Sequence, residues 1–108
     1  MGPYPKMYVV TRDDLSTGQQ AVQLGHALTE FAIDHREVFE SWHEVSNHLI
    51  YLAVPTENAL TDLLRTAIRE RFKVSAFFEP DRNNELTAVA FEPRAQNFLR
   101  SLPLALRD

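Results

Sequence analysis

Four runs of strand-forming residues alternate with helical patterns along this chain, which restricts it to the α/β class of folds. Each run is rich in β-branched, aromatic and other apolar residues; the runs occupy residues 7–11, 48–54, 73–78 and 86–91. The predicted order of elements is βαβαββα. Because strands separated by helices pair in parallel through right-handed crossovers, we expect a small four-stranded mixed sheet in a three-layer α/β/α sandwich.

Helical periodicity occupies the segments between these strands. The first helix is expected after Gly18 and continues, with a break, towards Trp42. Its apolar face is predicted to comprise Ala21, Leu24, Leu28, Phe31 and Ala32. Thr56 is a credible N-cap for a second helix, and Pro93 opens a short last one. The short loop between the last two strands predicts either a hairpin or a connection between strands that are not neighbours.

Length, cysteine content and net charge limit the classes of protein to which this chain can belong. A chain of 108 residues with 44% hydrophobic residues is expected to form one domain, residues 1–108, around a single core. The chain has no cysteine, which excludes disulfides and thiolate metal sites. Its net charge of −4 argues against broad, non-specific nucleic-acid binding. The basic cluster Arg65, Arg69, Arg71 and Lys73 is either a solvated helix face or a local phosphate contact, and the first is favoured.

No apolar run reaches the length of a signal peptide or of a membrane span, so we expect a soluble cytoplasmic protein with no membrane partner. The histidines show no metal-ligand spacing, because His26 and Glu30 make a pair four residues apart without an evident third ligand. We therefore predict that the protein binds no metal.

Polar residues gather where the first strand gives way to the first helix, and ligands of α/β proteins usually bind at such strand ends. Arg12 is expected either to pair with Asp14 or to contact phosphate. Asp14 is equally expected to be a turn or capping residue. A stripe of Gln19, Gln23, His26 and Glu30 follows on the helix. Gln23 is interpreted as an orienting hydrogen-bond partner. Gly25, within this stripe, is interpreted as a point of close helix packing.

His26 is either a functional imidazole that faces the crevice or a surface histidine paired with Glu30. Glu79 and Asp81 follow the third strand, where a carboxylate is able to polarise water beside His26. The alternative is an ordinary acidic turn, and Glu79 is the stronger candidate. With no cysteine and no nucleophile elbow, hydrolysis here would use an activated water.

The motif Arg12-x-Asp14-Leu15-x-x-Gly18, followed by Gln23-x-x-His26-Ala27, resembles the type II peptidyl-tRNA hydrolases of archaea and eukaryotes. Ala53-Val54-Pro55 and the segment Thr87–Pro93 are similar to later family features in the same order. The resemblance covers roughly residues 6–106. It implies hydrolysis of the ester between a peptide and tRNA, a frequently dimeric protein, and no metal or other cofactor.

The chain also departs from the family pattern. Gln19 stands where the family usually has a basic residue, and Glu79 stands nearest the aspartate of a loop that is shortened here. No threonine occupies the family's position in that loop, since Thr87 belongs to the next strand. Two further functions therefore stay open: a catalytically impaired relative that binds tRNA, a nucleotide or a protein, and a structural dimerisation domain with Trp42 at its seam.

Overall fold

The computed structural model describes residues 4–107 and shows eight helices and strands over that range. In chain order they are β1 (Lys6–Arg12), α1 (Thr17–Asp34), α2 (Arg36–Val45), β2 (His48–Val54), α3 (Glu57–Arg69), β3 (Val74–Glu79), β4 (Glu85–Phe91) and α4 (Gln96–Leu99). Two short 3₁₀ turns, Pro80–Arg82 and Pro93–Ala95, follow β3 and β4. The predicted element order is confirmed, with the first helical segment divided in two.

The four strands form one mixed sheet in the order β2-β1-β4-β3. β1 and β2 are parallel, as expected for strands joined through helices, and β4 is antiparallel to both β1 and β3. The last two strands form a hairpin, and β4 lies between β1 and β3. The expectation of parallel pairing is therefore wrong for β2 and β3, which are not neighbours. Because β1 and β3 are both antiparallel to β4, their carboxyl ends still reach the same edge of the sheet.

Helices cover both faces of the sheet, which confirms the three-layer sandwich. On one face Met7 and Val9 of β1 pack with Leu24 and Phe31 of α1. On the other face, the alternate residues of β1 pack in a cluster with α3 and α4, which contains Tyr8, Val10, Leu60, Ala67 and Leu99. This alternation is the period of two that a strand with both faces buried must show. Among residues 4–107, no helix combines the length and hydrophobicity needed to cross a bilayer.

The start of α1 is set by Ser16, whose side-chain oxygen accepts a hydrogen bond from the backbone N–H of Gln19 at 3.2 Å. Gly18 therefore lies inside the first turn rather than before the helix. The expected break falls at His35, which separates α1 from α2. The buried face of α1 differs from the prediction because it includes two glutamines; it comprises Gln20, Gln23, Leu24, Ala27 and Phe31.

Candidate active site

An open hollow of about 370 Å³ lies between the first turns of α1 and the turn that follows β3. Four of the seven predicted site residues line it together: Gln19, Gln23, Glu79 and Asp81. Gly18, Val22 and Arg82 complete its wall. The structure therefore brings the helix stripe and the acidic turn together, although they lie more than fifty residues apart in the chain.

Glu79 is anchored by a chain of hydrogen bonds that starts inside the sheet. The Thr87 hydroxyl donates to Gln23 Oε1 at 2.7 Å, and Gln23 Nε2 donates to Glu79 Oε1 at 2.9 Å. Thr87 is fully buried on β4, and Thr11 of β1 donates to its carbonyl oxygen at 2.7 Å. Since the Thr87 hydroxyl donates to the amide oxygen of Gln23, the amide nitrogen points at Glu79 and presents a donor to it.

These contacts favour the ionised form of Glu79. The hydrogen bond from Gln23 is the largest influence and lowers the pKa of the Glu79 carboxyl, against the opposing effect of desolvation. The backbone N–H of Asp81 and the charges of His26 and Arg82 lower this pKa further. Glu79 Oε2 meets only the Asp81 N–H, at the long distance of 3.4 Å. One carboxylate oxygen is thus held tightly while the other is weakly engaged beside the hollow.

His26 lies next to this carboxylate but does not line the hollow. Its imidazole is stacked on the ring of Phe77, with the two centroids 4.4 Å apart and the planes inclined by 17°. The hydrogen bond to Glu30 that the helical spacing suggested is not formed in the described part of the chain. His26 remains an exposed side chain whose position is set by Phe77.

Arg12 is engaged in ion pairs and is not available to a ligand. Its guanidinium donates to both carboxylate oxygens of Asp14 at 2.9 Å, to Glu85 at 2.8 Å and to the carbonyl oxygen of Leu86 at 3.2 Å. The side chain is only 7% exposed. Of the two alternatives for Arg12, the structure therefore contains the ion pair. The hydrogen bonds to Arg12 lower the pKa of Asp14 and of Glu85, and the bonds to these carboxylates raise the pKa of Arg12.

Gln19 lies at the rim of the hollow as an exposed residue in the first turn of α1. Its amide is therefore accessible to a bound molecule, in contrast to Gln23, a residue that is 4% exposed and whose amide is hydrogen-bonded to Thr87 and Glu79. Within residues 4–107, no group of three or more His, Asp or Glu side chains is arranged to hold a metal ion.

Comparison with known families gives a match across almost the whole chain. A family model described as peptidyl-tRNA hydrolase PTH2 matches residues 5–106. The chain belongs to this family. Comparison with curated proteins gave no match. Membership supports a peptidyl-tRNA hydrolase-like protein, and the candidate site lies where the motif that resembles the type II hydrolases meets the turn after β3.

Two residues of this candidate site are not identified from the sequence alone. Thr87 was assigned only to β4, yet its hydroxyl orients Gln23 from inside the sheet. Arg82 follows the acidic pair directly and no motif singles it out, yet it lines the hollow and acts electrostatically on Glu79. A buried threonine on a strand is not distinguished by any local pattern. Its role depends on β4 lying next to β1, a pairing that the sequence left open.

Proposed function

We propose that this protein hydrolyses the ester that joins a peptide to tRNA, and that Glu79 orients and deprotonates the attacking water. The observation that carries this proposal is the Thr87–Gln23–Glu79 chain, which keeps an ionised carboxylate at the wall of an open hollow. A positioned carboxylate that stays ionised near neutral pH is in the protonation state that a general base requires.

Ester hydrolysis proceeds through attack of water and collapse of the intermediate, and a second residue that lines the hollow takes part in these steps. Water attacks the ester carbonyl carbon, Glu79 accepts the proton, and the carbonyl oxygen becomes an oxyanion. The exposed amide of Gln19 donates a hydrogen bond to this oxyanion, a role for which it needs no charge. Collapse of the intermediate breaks the bond to the 3′ oxygen of tRNA, and this oxygen takes the proton back from Glu79, which returns the carboxylate to its ionised form. His26, stacked on Phe77 beside Glu79, has no direct part in these steps.

This chemistry uses one carboxylate and one water, so the proposal includes no metal or cofactor. Acting on peptidyl-tRNA, the protein works in the cytoplasm, where translation takes place. Asp14 has no direct part in this scheme and acts through the Arg12 ion pair.

A single-turnover assay with peptidyl-tRNA tests the proposal. We expect wild-type protein to release the peptide and Glu79→Gln to lower the rate by a factor on the order of 10² to 10⁴, the usual value of a positioned general base. Asp81→Asn is the matched control, since this neighbouring carboxylate also lines the hollow but receives no hydrogen bond from Gln23. We expect Asp81→Asn and His26→Ala to lose much less activity than Glu79→Gln.

A binding module is the second candidate function, favoured by the uncharged Gln19 at the rim of the hollow. If wild-type protein binds tRNA but releases no peptide, and Gln19→Lys gains turnover, the site is a disabled one and the hydrolase proposal is wrong. Equal turnover of wild-type protein and Glu79→Gln would contradict the assigned base.

A further inference from the structure

Arg82 is the one basic side chain among residues 4–107 that lines the hollow. Glu79 and Asp81 line the same wall, so without Arg82 the hollow would carry two carboxylates and repel an anionic ligand. The other arginine at this edge, Arg12, is enclosed by its own carboxylate partners. Among the described side chains that line the hollow, only Arg82 therefore offers a positive charge to an anionic group.

The position of Arg82 is fixed by the turn that carries it. Pro80 begins the 3₁₀ turn, and Asn83 and Asn84 end it with positive φ angles of 54° and 59°, which asparagine tolerates better than most residues. The backbone N–H of Asn84 closes the turn with a hydrogen bond to the carbonyl oxygen of Glu79 at 2.9 Å. The backbone thus holds Arg82 close to Glu79.

Its guanidinium is oriented by a line of alternating charges. Glu85 Oε1 accepts from Arg12 at 2.8 Å and from Arg82 Nε at 3.3 Å. Only one nitrogen of Arg82 is used in this way, and its other N–H groups have no hydrogen-bond acceptor elsewhere in residues 4–107. With a side chain that is 34% exposed, compared with 7% for Arg12, the guanidinium presents these free donors to solvent.

From this arrangement we propose that Arg82 binds a phosphodiester group of the tRNA acceptor end, with Glu85 as its positioning residue. The inference rests on the proposed function, because that substrate carries its ester on the terminal ribose, which a 5′ phosphodiester joins to the rest of the acceptor end. A planar guanidinium whose two terminal nitrogens are free to donate is suited to the oxygens of a phosphate. The basic residues Arg65 and Arg69 of α3 are the competing surface, and α3 covers the opposite face of the sheet from α1.

The inference is tested with an RNA minihelix that consists of an acceptor stem and its CCA end, with no amino acid or peptide attached. Its binding is measured by fluorescence anisotropy between about 50 and 200 mM salt. We expect Arg82→Gln to weaken binding by a factor on the order of ten and to reduce the slope of log Kd against log salt by about 0.7 to 0.9, the loss of one phosphate contact. Arg82→Lys is expected to retain the salt slope, because it retains the charge.

Arg69→Gln is the matched control, since it makes the same substitution at an exposed arginine of α3. The inference is overturned if Arg82→Gln binds with the wild-type Kd and slope, if Arg69→Gln loses as much, or if wild-type protein does not bind the minihelix. Peptide release is measured separately. Wild-type protein that binds RNA through Arg82 without releasing peptide contradicts the hydrolase proposal and leaves the phosphate contact supported.

Discussion

At the scale of single residues, the bond between Gln23 and Glu79 controls the protonation state of the candidate site. A carboxyl whose pKa is lowered stays ionised as the pH falls through the ordinary carboxyl range, near 4.5 for glutamate. A base of this kind is active at neutral pH and loses activity only in more acidic solution. We therefore expect the rate of peptide release to stay level from neutral pH down to about pH 5.

In the pH dependence of peptide release, Gln23→Glu is expected to move the acid limb to higher pH by about one unit or more. The new carboxyl would lie at hydrogen-bond distance from Glu79, where Gln23 Nε2 now lies 2.9 Å away, and two such carboxylates cannot both ionise easily. The pH dependence of kcat/KM measures the shift. Val22→Glu is the control, because it adds a charge to the same wall from a side chain that is now exposed. Equal shifts of the acid limb in both variants would show that the contact between the two carboxyl groups is not the cause.

The ion pair of Arg12 and Asp14 gives a second prediction at this scale, about stability. The pKa of Asp14 is lower in the folded chain than its ordinary value, so its contribution to stability is present above about pH 4 and is lost as the pH falls through the folded pKa. We expect Asp14→Asn to unfold at a lower temperature than wild-type protein at pH 7. The difference in Tm should shrink in strongly acidic solution, as measured by thermal unfolding monitored by circular dichroism.

Asp13→Asn is the control for this experiment, because Asp13 lies next to Asp14 and makes no ion pair in the part of the chain that the structure describes. Its effect on Tm is expected to be small at both pH values. A Tm difference for Asp14→Asn that persists unchanged in acid would show that the carboxylate charge is not the cause.

At the scale of elements, α1 contains a glycine that its packing does not require. The sequence suggested close packing at Gly25, and this prediction is wrong, because a Cβ added there would have no heavy atom within 4 Å. The residue has no positive φ angle, so any side chain fits its backbone. Glycine in a helix is less favourable than alanine because it loses more backbone entropy on folding.

We expect Gly25→Ala to stabilise the protein by about 0.5 to 1 kcal/mol, the helix-propensity difference between the two residues. Denaturant unfolding measures the change. Ser16→Ala is a companion variant on the same helix with the opposite expected sign, a loss of about 1 kcal/mol, because it removes the N-cap. A destabilised Gly25→Ala would mean that the position is more confined than the structure shows.

At the scale of the whole molecule, the segment after α4 returns to cover the edge of the sheet. Ala53 N–H donates to the carbonyl oxygen of Pro103 at 2.9 Å, and Ala105 N–H donates to that of Tyr51 at 3.0 Å. Leu104 pairs with Leu52 of β2 as an antiparallel bridge. An uncovered edge strand offers free backbone groups to other chains, so this segment protects β2 from association.

Removal of residues 103–108 is expected to lower the free energy of unfolding by about 2 to 4 kcal/mol. The loss comes from the two backbone hydrogen bonds and from the hydrogen bond between Leu106 N–H and Gln20 Oε1. Exposure of the edge of β2 should also promote association. Denaturant unfolding and sedimentation velocity measure the two effects. A variant that lacks only residues 107–108 is the control and should behave as wild type. If the longer deletion leaves the denaturant midpoint of unfolding unchanged, the segment is not a structural part of the sheet.

Local patterns were sufficient to predict much of this protein. The β-branched and aromatic run of β1, the N-cap of α3 at Thr56 and the helical periodicity between the strands each depend on residues close together in the chain, so the element order was predictable. The motif around Arg12 and His26 is similarly local, and it was enough to indicate the family that the match over residues 5–106 establishes.

The contacts that complete the site could not be predicted in this way. Gln23 meets Glu79 across 56 residues and Thr87 across 64, and Arg12 meets Glu85 across 73. These pairs form because β4 lies between β1 and β3, and the short loop was compatible with another strand order. Strand order depends on the packing of both sheet faces and on the entropy of closing long loops, which are properties of the folded whole. No local periodicity carries that information.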